Sequence, residues 1–336
     1  MDRSGRAGLW ITGPLSARRR NNGAMGFPKE LPDGLATTSF LWRDGLDAGL
    51  TPKQLRNKKL ARPSRGVRVP QGVALSLADE VRALSWITPE SAVSHITAAS
   101  LWEFPLPFWL EQDREVHVSR PASSSTPRRR EVVGHRTKLL PGETAVHLGV
   151  RLTSRKKTWL DLAQLLLVED LVIIGDHLVR WPRWKYEKRL EPYATVEELR
   201  GIIAAHKGKR GIVKAAEAIE MVRVGADSAQ ETRLRLALVN AGLPEPELNQ
   251  PLVDDSGRRW HSPDLQYREY KVAIEYEGDH HRSAEQLAND VKRGENAAAA
   301  GWLERRITKD EMADDARLAV AKIRRALLER GWKPGA

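Results

Sequence analysis

The chain has no cysteine among its 336 residues. That excludes disulfides, thiolate metal sites and cysteine nucleophiles, and it fits a reducing cytoplasm. No apolar run approaches the roughly 20 residues of a membrane span. The run Leu165–Val168 stops at Glu169-Asp170 and resumes at Leu171, which reads as a buried helix or a strand pair. No apolar h-region stands near the N-terminus, which argues against a secretory signal. The expectation is a cytoplasmic protein with no membrane partner.

What is present is basic and globular. Hydrophobic residues make up 41% of the chain, enough for ordinary cores, and the length allows two or three domains. A net charge of +11 favours a polyanionic partner, most simply nucleic acid. The plain alternative is a basic solvated surface.

The most informative stretch is Pro263–Gly278. Leu265, Tyr267, Val272, Ile274 and Tyr276 alternate with Asp264, Gln266, Arg268, Lys271, Glu275 and Glu277. Period-2 alternation with β-branched and aromatic residues predicts two half-buried strands. Arg268-Glu269-Tyr270-Lys271 is the polar break and the predicted turn. With Glu269 and Tyr270 at its tip, Asp264 stands directly opposite Glu275 on one face, Cβ atoms roughly 5 Å apart. Glu277 shares that face. Carboxylates so close repel unless a positive group neutralises them, and a hard divalent cation such as Mg²⁺ or Mn²⁺ takes oxygen ligands of this kind. The bland alternative is a solvated acidic strand face. Gly278-Asp279-His280-His281-Arg282 follows at once, a cluster suited to proton transfer and phosphate contact.

Pro263-Asp264, then Glu275-x-Glu277-Gly278 with His-His behind it, resembles a PD-(D/E)XK nuclease core. More closely it resembles the domain of unknown function related to very-short-patch-repair (Vsr) endonucleases. The likeness takes in Ser228-Ala-Gln-Glu231-Thr-Arg-Leu-Arg235 upstream, and Asp290-Val-Lys-Arg293 with Ala300-Gly301-Trp302 downstream. It covers about Ala226–Gly331. It implies an α/β nuclease fold and a metal-dependent DNA endonuclease. Asp264 and Glu275 would be direct metal ligands, with Glu231 as a helix-borne third. Glu277 would be a further ligand or a base, His280 or His281 the general acid or base, and Arg282, Lys292 and Arg293 the phosphate contacts. Asp290 would orient a histidine or cap its helix. The broad superfamily carries a lysine at the position of Glu277, so the positive charge it supplies is missing here. Glu231 reads equally well as a first-turn carboxylate complementing its helix dipole.

The chain ahead of that domain is expected to begin with a disordered basic tail over residues 1–26. It contains Arg18–Arg20, and Met25 is a candidate start codon. Residues 27–90 read as a winged helix-turn-helix. Thr37-Thr38-Ser39 would cap a helix through Phe40, Leu41 and Leu46. Thr51 would cap a second, Pro52–Asn57. Two wing strands would follow, in Lys58–Arg62 and Arg65–Val69. Lys53, Gln54, Arg56, Asn57 and Lys58 suit phosphates and base edges. This unit resembles the N-terminal domain of AbiEi-type antitoxins. Residues 91–225 resemble the middle domain of those proteins, with a helix from Ser94 to a Pro-rich stop, a strand Glu115–Val118, a basic loop Ser123–Arg130, and the strand and helix Val150–Thr153 and Arg155–Ala163. Here Asp161, Asp176 and His177 read as caps or helix-surface groups.

The boundary to the C-terminal domain, residues 226–336, is expected near Val224–Asp227. The overall expectation is a mixed α/β protein that binds DNA, with a partner toxin or defence-system protein implied by the antitoxin resemblance. The first function reading is an endonuclease in phage defence or repair. The second is a non-catalytic DNA-binding regulator, an antitoxin or repressor whose nuclease-like domain has decayed.

Overall fold

The computed structural model describes residues 30–88, 90–112, 115–183, 187–253, 259–278 and 294–335. The expected N-terminal tail, Asp254–Gly257, where the sequence reads as a turn, and most of Ser283–Ala300, which reads as a long helix, lie outside the described residues. Residues 294–299 of that helix are helical. The architecture is mixed α/β, with helices packed on sheets of three, five, four and two strands.

Near the N-terminus, Phe40–Leu41 is a strand rather than the start of a helix. It pairs with Arg68 and Val67. Phe40 enters a cluster with Leu50, Leu55 and Leu60, whereas Leu41 enters another with Val67, Ala83 and Leu84. Consecutive side chains buried on opposite sides need the two-residue period of a strand. The helix therefore starts at Trp42 and ends at Asp47, and Asp44 accepts the Leu41 N–H at 3.0 Å. Gly49, at φ 88, turns the chain in a left-handed conformation that glycine adopts freely. The next helix is Pro52–Leu55, two residues shorter than expected. Thr51 Oγ1 accepts the Gln54 N–H at 3.2 Å and Gln54 Oε1 accepts the Thr51 N–H at 2.8 Å, a capping box. Leu60–Ala61 and Val67–Pro70, within the two segments expected to form the wing, pair antiparallel.

A five-stranded mixed sheet follows, in the spatial order Val132–Thr137, Val116–Pro121, Ala92–Val93, Val150–Thr153, Thr144–His147. Helices Arg155–Leu162, Val168–Val179, Val196–Ala205 and Ile212–Met221 complete this part. The wholly buried Trp159 donates its indole N–H to the Leu171 carbonyl at 2.9 Å. Gly211 is required where it stands: a Cβ there would meet the Ala163 carbonyl carbon at 2.5 Å. The helix Leu77–Ser85 contributes Ala78 and Val81 to this core, so it ties the winged unit to the five-stranded sheet.

The C-terminal sheet runs Leu303–Thr308, Val272–Glu277, Leu265–Tyr267, Glu247–Leu248. The last three pair antiparallel, and Leu303–Thr308 lies parallel to Val272–Glu277. Leu252–Val253 and Arg259–His261 form the two-stranded sheet. Helices Ala229–Asn240 and Ala313–Glu329 bury Leu234, Leu238, Ile323 and Leu327 in this core. Leu318 and Leu328, which with Ile323 and Leu327 read in the sequence as the apolar residues of a closing helix over Asp314–Glu329, are 56% and 48% exposed. Past a left-handed kink at Asp314–Ala316, the packed stripe is Ala319, Ile323, Ala326 and Leu327, which follows the 3.6-residue period that Leu318 and Leu328 miss.

Candidate active site

The hairpin pairs Leu265 with Ile274, Gln266 with Ala273 and Tyr267 with Val272. Lys271 N–H donates to the Arg268 carbonyl at 3.2 Å and closes the turn. This is the register expected from the polar break. Continued by one residue, it sets Asp264 opposite Glu275. The Asp264 carboxylate accepts the Tyr276 N–H at 2.7 Å, and its carbonyl accepts the Asn249 N–H at 3.0 Å.

The electrostatics of Asp264 are those of a crowded acid. Burial pushes its carboxyl up to about 8, the charges of Glu231 and Glu275 push the same way, and the Tyr276 N–H opposes them. Glu231 lies in the first turn of its helix and is 5% exposed. Its carboxylate accepts the Asp227 N–H and the Asn249 side-chain amide, each at 2.9 Å. Burial nevertheless raises its pKa. Glu231 thus closes its helix start, and its charge acts on Asp264.

Glu275 is hydrogen-bonded to His261 Nε2. Glu277 pairs with Arg306 at 3.2 Å, and Arg306 Nε also meets Glu304 at 2.8 Å. Arg306 is the parallel-strand partner of Glu275. Arg183 pairs with Asp227 and donates to Asn249 Oδ1 at 2.7 Å. Its bond to Asp227 raises its pKa first, and the charges of Glu231 and Asp264 add to that.

Glu231 and Glu275 are thus near enough for their charges to act on Asp264, and Glu277 follows Glu275 on the same strand, although no three of these carboxylates converge within 4.8 Å. His280, His281, Arg282, Asp290, Lys292 and Arg293 lie outside the described residues. Lys53, Arg56 and Lys58 are exposed on the winged unit, and Arg56 lies 5.5 Å from the Trp42 ring centroid. Gln54 is not available for base contact: it is buried, its amide spent on the Thr51 cap. Asn57 accepts the Lys59 N–H at 3.0 Å.

Sequence reasoning missed His261, Asn249, Arg183 and Arg306. His261 had one signal, its place two residues before Pro263-Asp264. The other three come from separate elements, and no local pattern marks them.

The middle segment also departs from expectation. Asp161 is wholly buried and pairs with the equally buried Lys157, and with Lys209 at 3.0 Å. Asp176 is buried against Arg235. His177 is packed near Phe104 and Tyr193, and burial takes its imidazole down to about 4. Neither aspartate is a helix cap or a surface group. A second cluster lies here, with His95, His117 and His135 each offering a ring nitrogen within 4.8 Å of the others. Burial lowers His95, and takes His135 down to about 4. Both imidazoles are therefore neutral at pH 7.

The chain matches no family model and no solved structure. It is 30% identical over 131 residues to an uncharacterized protein of Mycobacterium tuberculosis strain CDC 1551, and equally to one of strain H37Rv. The match covers 39% of this chain and 48% of each relative, so the chain spans about half the length of the curated relatives it matches. Among the described residues no helix is long and apolar enough to cross a membrane.

Proposed function

We propose that the protein is a metal-dependent nuclease that hydrolyses DNA phosphodiesters at a centre made by Asp264, Glu275 and Glu231. The observation that carries this reading is the hairpin register, which sets Asp264 opposite Glu275, with the buried Glu231 acting on the same carboxylate. Such a cluster is costly to ionise without a compensating cation. Its donors are all carboxylate oxygens, which fits Mg²⁺ or Mn²⁺. Asp264 and Glu275 would hold the ion, with Glu231 behind them. A bound ion would polarise the scissile phosphate and lower the pKa of the attacking water.

The chain's own residues supply the rest. His261, bonded to Glu275, is placed to take or return a proton. Arg306 brings a guanidinium to Glu277 from the neighbouring strand, and so supplies the positive charge that a lysine at position 277 would give. Arg183 adds a second cation on the side of Asp227 and Asn249. The exposed Lys53, Arg56 and Lys58 serve to hold the DNA backbone. The cytoplasmic setting rests on the lack of cysteine, and a role in defence or repair rests on the sequence resemblances, as does any partner toxin.

A second reading, a DNA-binding regulator without catalysis, is favoured by one observation. Glu275 and Glu277 already have protein partners, His261 and Arg306. Purified protein given Mg²⁺ or Mn²⁺ and a panel of duplex, mismatched and single-stranded DNA and RNA separates the two. The nuclease reading expects cleavage that Glu275→Gln loses. The regulator reading expects DNA binding with no cleavage of any substrate.

A further inference from the structure

We propose that His95, His117 and His135 bind a divalent transition metal of the zinc class, at a site separate from the carboxylate centre. The three residues come from three elements. His95 opens the helix His95–Leu101, His117 lies on the strand Val116–Pro121, and His135 lies on the strand Val132–Thr137 parallel to it. Their ring nitrogens converge within 4.8 Å. His117 pairs with Val133 and His135 with Ser119, so the two histidines are diagonal neighbours on one face of the sheet.

The geometry suits coordination. His117 Nδ1 and His135 Nε2 are 3.0 Å apart. Two imidazole nitrogens at about 2.0–2.1 Å from one tetrahedral zinc sit about 3.3 Å from each other, so this pair needs to part only slightly. The His95 ring stacks on His135 with centroids 3.6 Å apart and planes at 18°, so one of these two rings must turn about its Cβ–Cγ bond before both aim an in-plane nitrogen at one ion. Its Nδ1 lies 2.9 Å from Ser94 Oγ, which in turn accepts from Ser119 Oγ at 2.7 Å. A hydroxyl on one ring nitrogen is how metal-binding histidines are commonly oriented, leaving the other for the ion. That other nitrogen, Nε2, now touches the Gln164 amide at 2.7 Å, a contact the ion would replace. His95 also holds φ 50, a left-handed backbone that strains a residue with a Cβ, and such strain gathers at functional sites.

Three imidazoles with no carboxylate among the donors select zinc, copper or nickel over magnesium. Three protein ligands leave a fourth position open, as in catalytic zinc sites. A cavity of about 480 Å³, lined in part by His95, His135, Gln164, Lys138, Lys209 and Arg210, lies beside that position. Its cationic wall would draw an anion to the metal. Asp161 is the nearby negative charge that offsets the ion, while Lys157 and Lys209, both paired with it, oppose binding.

The test is calorimetric titration of chelator-treated full-length protein with Zn²⁺, alongside the Co²⁺ absorption spectrum. The expected result is one Zn²⁺ per chain, retained in Asp264→Asn. Ser94→Ala should weaken it by about 10- to 100-fold, and His135→Ala by more. Zn²⁺ affinity unchanged in His135→Ala, or no Zn²⁺ bound by the wild type, would overturn the proposal. Circular dichroism shows whether His135→Ala is folded. If it is not, the wild-type Co²⁺ spectrum decides: intense tetrahedral bands support the site, and weak octahedral bands refute it. No DNA cleavage by a wild-type protein that binds Zn²⁺ would count against the nuclease reading alone.

Discussion

Arg235 and Asp176 form a buried ion pair, Nη2 to Oδ2 at 2.8 Å, with each side chain 1% exposed. Asp176 belongs to the helix Val168–Val179 and Arg235 to the helix Ala229–Asn240. The pair therefore crosses the expected domain boundary near Val224–Asp227. The site is well supplied with hydrogen bonds. Asp176 also accepts from Thr232 Oγ1 at 2.9 Å and the Arg223 N–H at 2.7 Å, while Arg235 donates to Glu245 at 2.9 Å and the Met221 carbonyl at 2.9 Å. Leu236, one residue on, joins the core of the preceding segment. The two segments are welded rather than linked.

Removing one partner of such a pair leaves a buried charge uncompensated. Arg235→Met should destabilise the fold by about 3–5 kcal/mol, measured by urea unfolding. Combining it with Asp176→Leu should recover part of that loss. Additive costs in the double variant would mean the pair contributes no coupling.

Asp264 makes stability depend on pH. Its carboxyl is raised from the ordinary 3.8 to about 8, so the folded chain keeps a proton that the unfolded chain releases. Between about pH 4 and pH 8, in the absence of divalent metal, stability should fall as pH rises, by at most about 1.4 kcal/mol per pH unit. The measurement is the difference in melting temperature between wild type and Asp264→Asn across that range. That difference should grow in favour of Asp264→Asn towards pH 8. A difference independent of pH would contradict the acid cluster.

The hairpin was legible because its evidence is local. Alternation fixes the faces, and the polar break at Arg268–Lys271 fixes the register that sets Asp264 against Glu275. The short strand at Phe40–Leu41 was not legible, since two adjacent apolar residues fit either period until both of their clusters are known. Arg183 and Arg306 reach the acids only through tertiary and parallel-strand pairing. His95, His117 and His135 stand far apart in sequence, and only the sheet and the helix end gather them. Asp176 looked like a helix-surface acid because its partner Arg235 comes from another helix, and Asp161 because an i,i+4 pair with Lys157 is ordinarily a surface feature, whereas here both are buried beside Lys209.

The exposed cations of the winged unit should govern DNA affinity through counterion release. Replacing Lys53 and Arg56 together with glutamate in the full chain should weaken binding evenly across DNA sequences. The slope of log affinity against log salt should shrink by about 0.9 for each phosphate that the protein no longer neutralises. An unchanged slope would place the DNA elsewhere.

Arg306 is the cation beside Glu277. If it stabilises charge developing on the phosphate, Arg306→Ala should slow cleavage by about 10²-fold or more, with DNA binding little changed. Glu277→Lys, which puts the cation on the strand itself, should retain part of the activity. Full activity in Arg306→Ala would remove Arg306 from the site.

The most direct measurement is the rate of supercoiled plasmid nicking with Mn²⁺ or Mg²⁺, for wild type against Asp264→Asn. A gel-shift assay of both proteins checks that DNA is bound equally. The account predicts metal-dependent nicking that falls by more than about 100-fold in Asp264→Asn, because the ion's hold on the water is lost. Equal nicking by the two proteins, or none by the wild type with either metal, would contradict it.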